Sequence, residues 1–174
     1  MLIPAWGPDG VLRPCDKLEA HERGLRHPAI SVFIMDEDGR TLLQRRAAGK
    51  YHTPNLWANA CCTHPHWGED PAICADRRLH EELGVSLPLE RRGEIEYRAD
   101  VGGGLIEHEV VELFVAQTRA ADLRPRPNPD EVSDTRWIAL PDLHREMAET
   151  PERFTPWLRI YLAEHAAQIL PEHA

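Results

Sequence analysis

The 174-residue sequence contains no stretch approaching the roughly 18 apolar residues of a membrane span. Its opening residues, Met1-Leu2-Ile3-Pro4-Ala5-Trp6-Gly7-Pro8-Asp9, lack the basic region and apolar core of a secretory leader. There is no excess of positive charge either. A formal net charge of −9 argues against nucleic acid or a membrane surface as a general partner, though a small phosphorylated ligand needs only a local group of Lys and Arg. Cysteine is scarce, at Cys15, Cys61, Cys62 and Cys74. Adjacent Cys61 and Cys62 are badly placed for a bridge, and nothing signals an oxidising compartment. The alternatives are small core residues or thiols with a metal or catalytic task. Repeats and low-complexity tracts are absent. These absences describe a cytoplasmic protein with no nucleic-acid or membrane partner and with a monomer as the default assembly.

What is present fits one compact domain, residues 1–174 with a core at about 17–170, at an ordinary apolar content of 42%. Residues 29–35 read as a strand, followed by an Asp38-Gly39 turn and a second strand near Thr41–Arg45. Residues 46–70, rich in Pro, Asn, His and Gly, read as a long ordered loop, a kind that is often functional. Pro71–Leu83 reads as a helix, with Pro in its first turn, Gly84 beyond its end, and Ala72, Ala75, Leu79 and Leu83 on one face. Strands follow near Glu94–Ala99, Ile106–Ala116 and Thr135–Ile138, then a helix from about Leu140. A last helix, capped by Thr155 with Pro156 first, runs to about Leu170. Strands interleaved with helices give a mixed α/β domain.

Alternation along the strand from Ile106 puts Glu107 and Glu109 on one face with Val111, Leu113 and Val115. Two charged carboxylates cannot sit unpaired among apolar side chains. A cation between them, a shared proton, or an exposed strand end would resolve the conflict. Among ten histidines, His21, His27 and His64 stand out, the last in Cys61-Cys62-Thr63-His64-Pro65. Cys62 and His64, two apart, can face one site, where a nearby cation would lower the thiol pKa of Cys62. Imidazoles with carboxylates suit zinc or manganese better than a purely hard ion. Arg45, Arg46 and Lys50, with Lys17 upstream and Arg77-Arg78 on the helix, offer an anion site. They also read as solvated charge, with Arg77–Glu81 and Arg78–Glu82 as helical pairs.

These motifs together resemble the type 1 isopentenyl-diphosphate isomerases of the Nudix superfamily. The likeness runs from about Lys17 to Trp157. It rests on Lys17-Leu18-Glu19-Ala20-His21, Gly24-Leu25-Arg26-His27, Leu43-Gln44-Arg45-Arg46-Ala47, Leu56-Trp57-Ala58-Asn59-Ala60-Cys61-Cys62-Thr63-His64-Pro65, Arg77-Arg78-Leu79 with Glu81-Glu82-Leu83-Gly84, Glu107-His108-Glu109, and Phe154-Thr155-Pro156-Trp157. The resemblance implies a mixed β-sheet sandwiched between helices. It implies one Mn2+ or Zn2+ held by His21, His27, His64, Glu107 and Glu109, and a Mg2+ at Glu82 bridging to the substrate diphosphate. Lys17, Arg46, Lys50 and Arg78 would bind that diphosphate. Cys62 and Glu109, aided by Tyr97, would move protons, and Trp157 would face the hydrocarbon. Two positions depart from the family pattern: Ala58 replaces a hydroxyl residue, and Asn55 stands where Gly is expected. His108 should point to the opposite face.

Two rivals remain on sequence alone. Thr63 to Val85 has the length of a Nudix hydrolase box, with Glu69, Arg77, Glu81, Glu82 and Gly84 in place. Thr63 replaces its opening Gly, however, and Arg78 replaces a metal-binding Glu that hydrolysis needs. The other rival, a structural zinc site, would favour paired, close-spaced ligands over residues spread along most of the chain.

Overall fold

The computed structural model describes residues 1–170. The last four positions of the expected domain, 171–174, lie outside the described residues. Its centre is a seven-stranded mixed sheet. Strand β3 (His27–Met35) lies parallel to β8 (Leu105–Gln117), which pairs antiparallel with β7 (Glu90–Gly102). On the other side of β3 the expected hairpin forms only at its closed end. β4 (Arg40–Arg46) pairs with β3 solely at Met35–Thr41, then swings away to pair with β9 (Val132–Ala139). The long 46–70 loop carries two short strands that fill the opening, β5 (Trp57–Ala58) on β4 and β6 (Cys61–Thr63) on β3. A second, two-stranded sheet of β1 (Leu2–Trp6) and β2 (Leu12–Asp16) precedes helix α1 (Lys17–Glu22). No local sequence pattern marks these N-terminal elements.

Helices cover both faces of the large sheet. Alternation along β3 sends Ile30, Val32 and Ile34 to a core shared with α2 (Pro71–Leu83). Ala29, Phe33 and Met35 face the other core, shared with Trp157, Leu158, Tyr161 and Leu162 of α4 (Pro156–Glu164) and with Leu143 of α3 (Leu140–Glu149). The expected final helix is interrupted at His165, and only a short α5 (Ala166–Ile169) follows.

Helix α2 has the predicted bounds, with Pro71 in its first turn and Gly84 beyond its end as expected, and with an Asp70 cap that was not foreseen. Asp70 accepts from the backbone N–H of Ala72 and Ile73, and Gly84 ends the helix at φ +66°. A Cβ at Gly84 would lie 2.9 Å from the Arg126 carbonyl oxygen, so only glycine fits. The buried face differs from the expected one: Cys74 and Glu82 are buried, whereas Ala72 is exposed.

Glu69 ties the loop to α2. It accepts from Arg77 Nε and Nη2 at 2.7 and 2.8 Å and from the His66 N–H at 2.8 Å. The bonds from Arg77 hold the Glu69 carboxyl down at about 2. A depressed carboxylate stabilises the fold fully above its unfolded pKa of 4.5 and loses that contribution as pH falls through about 2. Arg77→Ala should therefore cost about 2 kcal/mol at neutral pH. Urea titrations across pH should show the difference from wild type shrinking between pH 4.5 and pH 2.

Candidate active site

The two carboxylates of β8 are buried, Glu107 at 2% exposure and Glu109 at 5%, which excludes the exposed strand end. Register explains what surrounds them. Parallel pairing sets His27 of β3 against Glu109, α1 brings His21, and His64 follows β6 directly. His21, His27, His64 and Glu107 each offer one ligand atom, and these atoms all lie within 4.8 Å of one another. Glu109 joins them, its Oε1 being 2.7 Å from His64 Nε2 and 3.7 Å from His27 Nε2. His108 points away and meets Glu96.

Two of the rings are oriented for a cation. His21 Nδ1 is 2.6 Å from the Lys17 carbonyl oxygen, and His27 Nδ1 is 2.7 Å from that of Leu25. A carbonyl only accepts, so each Nδ1 carries the hydrogen and each Nε2 is aimed into the cluster. His27 Nε2 is buried without a hydrogen-bond partner. The donor set and its orientation thus fit a divalent metal ion. Without one, protons take the cation's place. Burial alone would lower His27, yet Glu107 and Glu109 outweigh it and raise the imidazole to about 10. Burial alone would raise Glu107, and the surrounding imidazoles of His21, His27, His52 and His64 hold it well below the usual carboxylate range.

Beside this cluster, Tyr97 Oη donates to Glu109 Oε2 at 2.7 Å. Cys62, on the opposite side of β3 from Glu109, lines the same cavity, as does Trp157. The expected lowering of the Cys62 pKa is not produced by the protein's own groups. Burial dominates and pushes the thiol up to about 12, against the smaller opposing effects of Ser31 and Asn59. Cys62 therefore keeps its proton, donating to Asn59 Oδ1 at 3.0 Å.

Lys17, Arg46, Lys50 and Arg78 all reach the same cavity, from α1, the end of β4, the following loop and α2. Burial, then repulsion from Lys50, pushes Lys17 down to about 8, with Arg78 and Arg46 adding to the effect. Glu82 lines the cavity with them and accepts from Arg78 at 2.8 Å and from Gln44 at 2.9 Å. Arg77 does pair with Glu81, at 3.0 Å, but its main partner is Glu69.

Sequence reasoning missed three residues. Glu131 sits between Lys50 and Arg78, at 2.5 and 3.4 Å. Tyr51 lies under the Lys17 ammonium, which is 4.9 Å from its ring centre. His52 contacts Glu107 Oε1 at 3.0 Å. Tyr51 and His52 follow Lys50 directly in the loop flagged as functional. Glu131, 81 residues from Lys50, gave no local signal. The Asn55 departure is accommodated: its φ of +63° is one that asparagine tolerates better than other side chains.

The NUDIX domain model matches residues 25–158. The chain belongs to the Nudix family. Within that family it is similar over nearly its whole length to curated proteins named isopentenyl-diphosphate Delta-isomerase. That of Cereibacter sphaeroides strain KD131 is 63% identical over 169 residues, covering 97% of this chain and 94% of that protein. That of Rhodobacter capsulatus is 56% identical over 171 residues, covering 98% and 96%. Among solved structures, a Deinococcus radiodurans protein superposes with a TM-score of 0.72 at 16% identity, covering 97% of this chain and 98% of that one. A MutT Nudix hydrolase from Burkholderia pseudomallei gives 0.61 at 25% identity, covering 80% and 98%. These structures speak for the fold.

Because His27 is protonated up to about pH 10, a cation entering the cluster must displace hydrogen ions. Adding Zn2+ or Mn2+ to metal-free protein in weakly buffered solution at pH 8 should release about one proton per site and raise Tm. Glu107→Gln should lose both responses. Calorimetry in two buffers of different ionisation enthalpy reads the proton count.

Proposed function

We infer that this chain is an isopentenyl-diphosphate Delta-isomerase. It interconverts isopentenyl and dimethylallyl diphosphate by protonation and deprotonation through a tertiary carbocation, in isoprenoid biosynthesis. The observation that carries the reading is a single cavity lined both by Glu109, Cys62, Tyr97 and Trp157, its hydrocarbon pole, and by Lys17, Arg46, Lys50 and Arg78, its basic pole, the two meeting where the Arg46 guanidinium lies 5.2 Å from the Trp157 ring centre. Such a cavity suits a molecule with a short hydrocarbon at one end and a diphosphate at the other. The proposed catalytic unit is the whole domain, 1–174, with a cytoplasmic location. That location agrees with the finding that no helix of the described residues is long and apolar enough to cross a membrane.

In the proposed mechanism the four basic residues bind the diphosphate, displacing Glu131 from Lys50 and Arg78. His21, His27, His64, Glu107 and Glu109 would hold Mn2+ or Zn2+, and Glu82 would hold Mg2+. Bound there, the first ion would supply positive charge at Glu109 and the second would neutralise phosphate charge. Moving the double bond adds a proton at the terminal carbon and removes another two carbons away. Cys62, protonated in this environment, suits the donor role. Glu109 accepts the Tyr97 hydroxyl on one oxygen and faces His64 with the other, the state of a carboxylate able to take a proton. In the reverse direction the roles exchange. The Trp157 ring stabilises the cation, an interaction worth about 2 kcal/mol, or roughly 30-fold in rate.

Hydrolysis is the less suitable reading because Arg78 stands where a metal-binding carboxylate is needed, and it binds Glu82 and Glu81 instead. Purified protein with isopentenyl diphosphate, Mg2+ and Mn2+ or Zn2+ in deuterated water should give deuterated dimethylallyl diphosphate by NMR, without phosphate release. Phosphate without isomer would establish hydrolysis instead. Cys62→Ala should reduce turnover about a thousand-fold, and undiminished turnover would remove Cys62 from the mechanism.

A further inference from the structure

His52 and Thr53 lie in the segment between β4 and β5, outside the proposed set of metal ligands. His52 is buried, at 5% exposure. Its Nε2 is 3.0 Å from Glu107 Oε1. His21, His27 and His64 all approach the other oxygen, Oε2, at 3.0, 3.5 and 3.7 Å. His52 is thus the one imidazole on the far oxygen, where a bond fixes the rotation of the carboxylate without competing for its inward face.

The second nitrogen has a partner of its own. His52 Nδ1 lies 2.9 Å from Thr53 Oγ1. A carboxylate only accepts, so Nε2 carries a ring hydrogen. A hydroxyl both donates and accepts, so Thr53 holds Nδ1 whether or not that nitrogen carries a hydrogen. Thr53 provides this hydroxyl from an unfavourable backbone conformation. Its φ is +46°, a region where a β-branched residue is an outlier. Such strain persists where surrounding interactions over-determine it. Glycine would relieve the strain but has no hydroxyl. The His52 backbone is also anchored, its carbonyl accepting from Arg46 Nη2 at 3.2 Å. One residue therefore joins the basic pole to the carboxylate pole.

We propose that His52 and Thr53 are a positioning pair for Glu107. Thr53 fixes the His52 ring through Nδ1, and His52 Nε2–H holds Oε1 so that Oε2 faces His21, His27 and His64. The proposal rests on Glu107 being a metal ligand. It accounts for a strained threonine in the loop and for a fourth imidazole that the five-ligand set leaves without a task.

The test measures zinc affinity of the full chain by competition with a chromophoric chelator, and the visible spectrum of the cobalt-loaded protein. Thr53→Gly should be at least as heat-stable as wild type without metal, yet bind zinc about ten- to a hundred-fold more weakly. Thr53→Ser should keep wild-type affinity. His52→Ala should weaken zinc binding by a similar factor and alter the cobalt spectrum. His52→Gln, whose amide N–H can still reach Oε1, should recover most of the loss. In turnover assays kcat should fall with little change in KM. Zinc affinity within two-fold of wild type in Thr53→Gly and His52→Ala would overturn the pairing, as would His52→Gln performing no better than His52→Ala. If wild-type protein takes up neither zinc nor cobalt, the metal-site reading fails and the proposal fails with it.

Discussion

Two ionisable carboxylates on the core face of one strand are the constraint around which this molecule is arranged. Glu107 and Glu109 share their face with Val111, Leu113 and Val115, all buried. Removing two like charges from water costs several kcal/mol each unless opposite charge and hydrogen bonds compensate. The compensation comes from distant parts of the chain. An N-terminal sheet and a six-residue helix bring His21, β3 brings His27 in register, and the loop after β4 brings His52 and His64. The four imidazoles are packed edge-on or tilted against one another, at ring separations near 5–6 Å. Such rings repel one another when charged and offer lone pairs when neutral. The cluster is therefore most readily satisfied by a cation at its centre.

The opening of the β3–β4 hairpin is what makes room for chemistry. A hairpin zipped along its length would place β4 beside Ile30–Val32, where β6 now runs. Because β4 departs after one pair, β6 can lie against β3 and carry Cys62 opposite Ser31. Asn59 then reaches back to Ser31, Val32 and the Cys62 thiol, so the short β5–β6 turn is held by buried polar bonds. Glu82 of α2 enters the same gap through Gln44 of β4. Both helical layers thereby contribute side chains to one cavity, which a continuous sheet would have divided.

Features governed by local rules could be read from the sequence. The bounds of α2 follow from Pro71 and Gly84, and the face assignment of Glu107 and Glu109 follows from strand alternation. The β3 and β8 cores were legible as apolar runs. What depended on distant partners was not. β5 and β6 are two and three residues long and exist only because β4 and β3 supply their hydrogen bonds. In β1 and β2, Pro4 and Pro14 interrupt any strand pattern, though they face each other across the ladder. The protonated thiol of Cys62 could not be foreseen either. Its sequence context suggests a nearby cation, but removal of the thiol from water decides the balance. His52 was hidden among ten histidines, and only its contact with Glu107 distinguishes it.

The exchange of one residue on α2 shows how a Nudix scaffold can serve the proposed isomerisation. Cleaving a diphosphate requires an activated water, and a carboxylate at the position of Arg78 would help hold the metal that activates it. An allylic shift through a tertiary carbocation requires the opposite, because any water reaching the cation would trap it as an alcohol. Arg78 removes that negative charge, pairs with Glu82 and Glu81, and leaves a guanidinium pointing at the basic pole. The same substitution thus weakens the case for hydrolysis and, in the proposed reaction, would strengthen the grip on diphosphate. With Trp157 and Tyr97 almost wholly buried at the other pole, the substrate hydrocarbon itself would complete the barrier to solvent. Binding energy from the unreactive diphosphate would then be used to protect the reacting carbons.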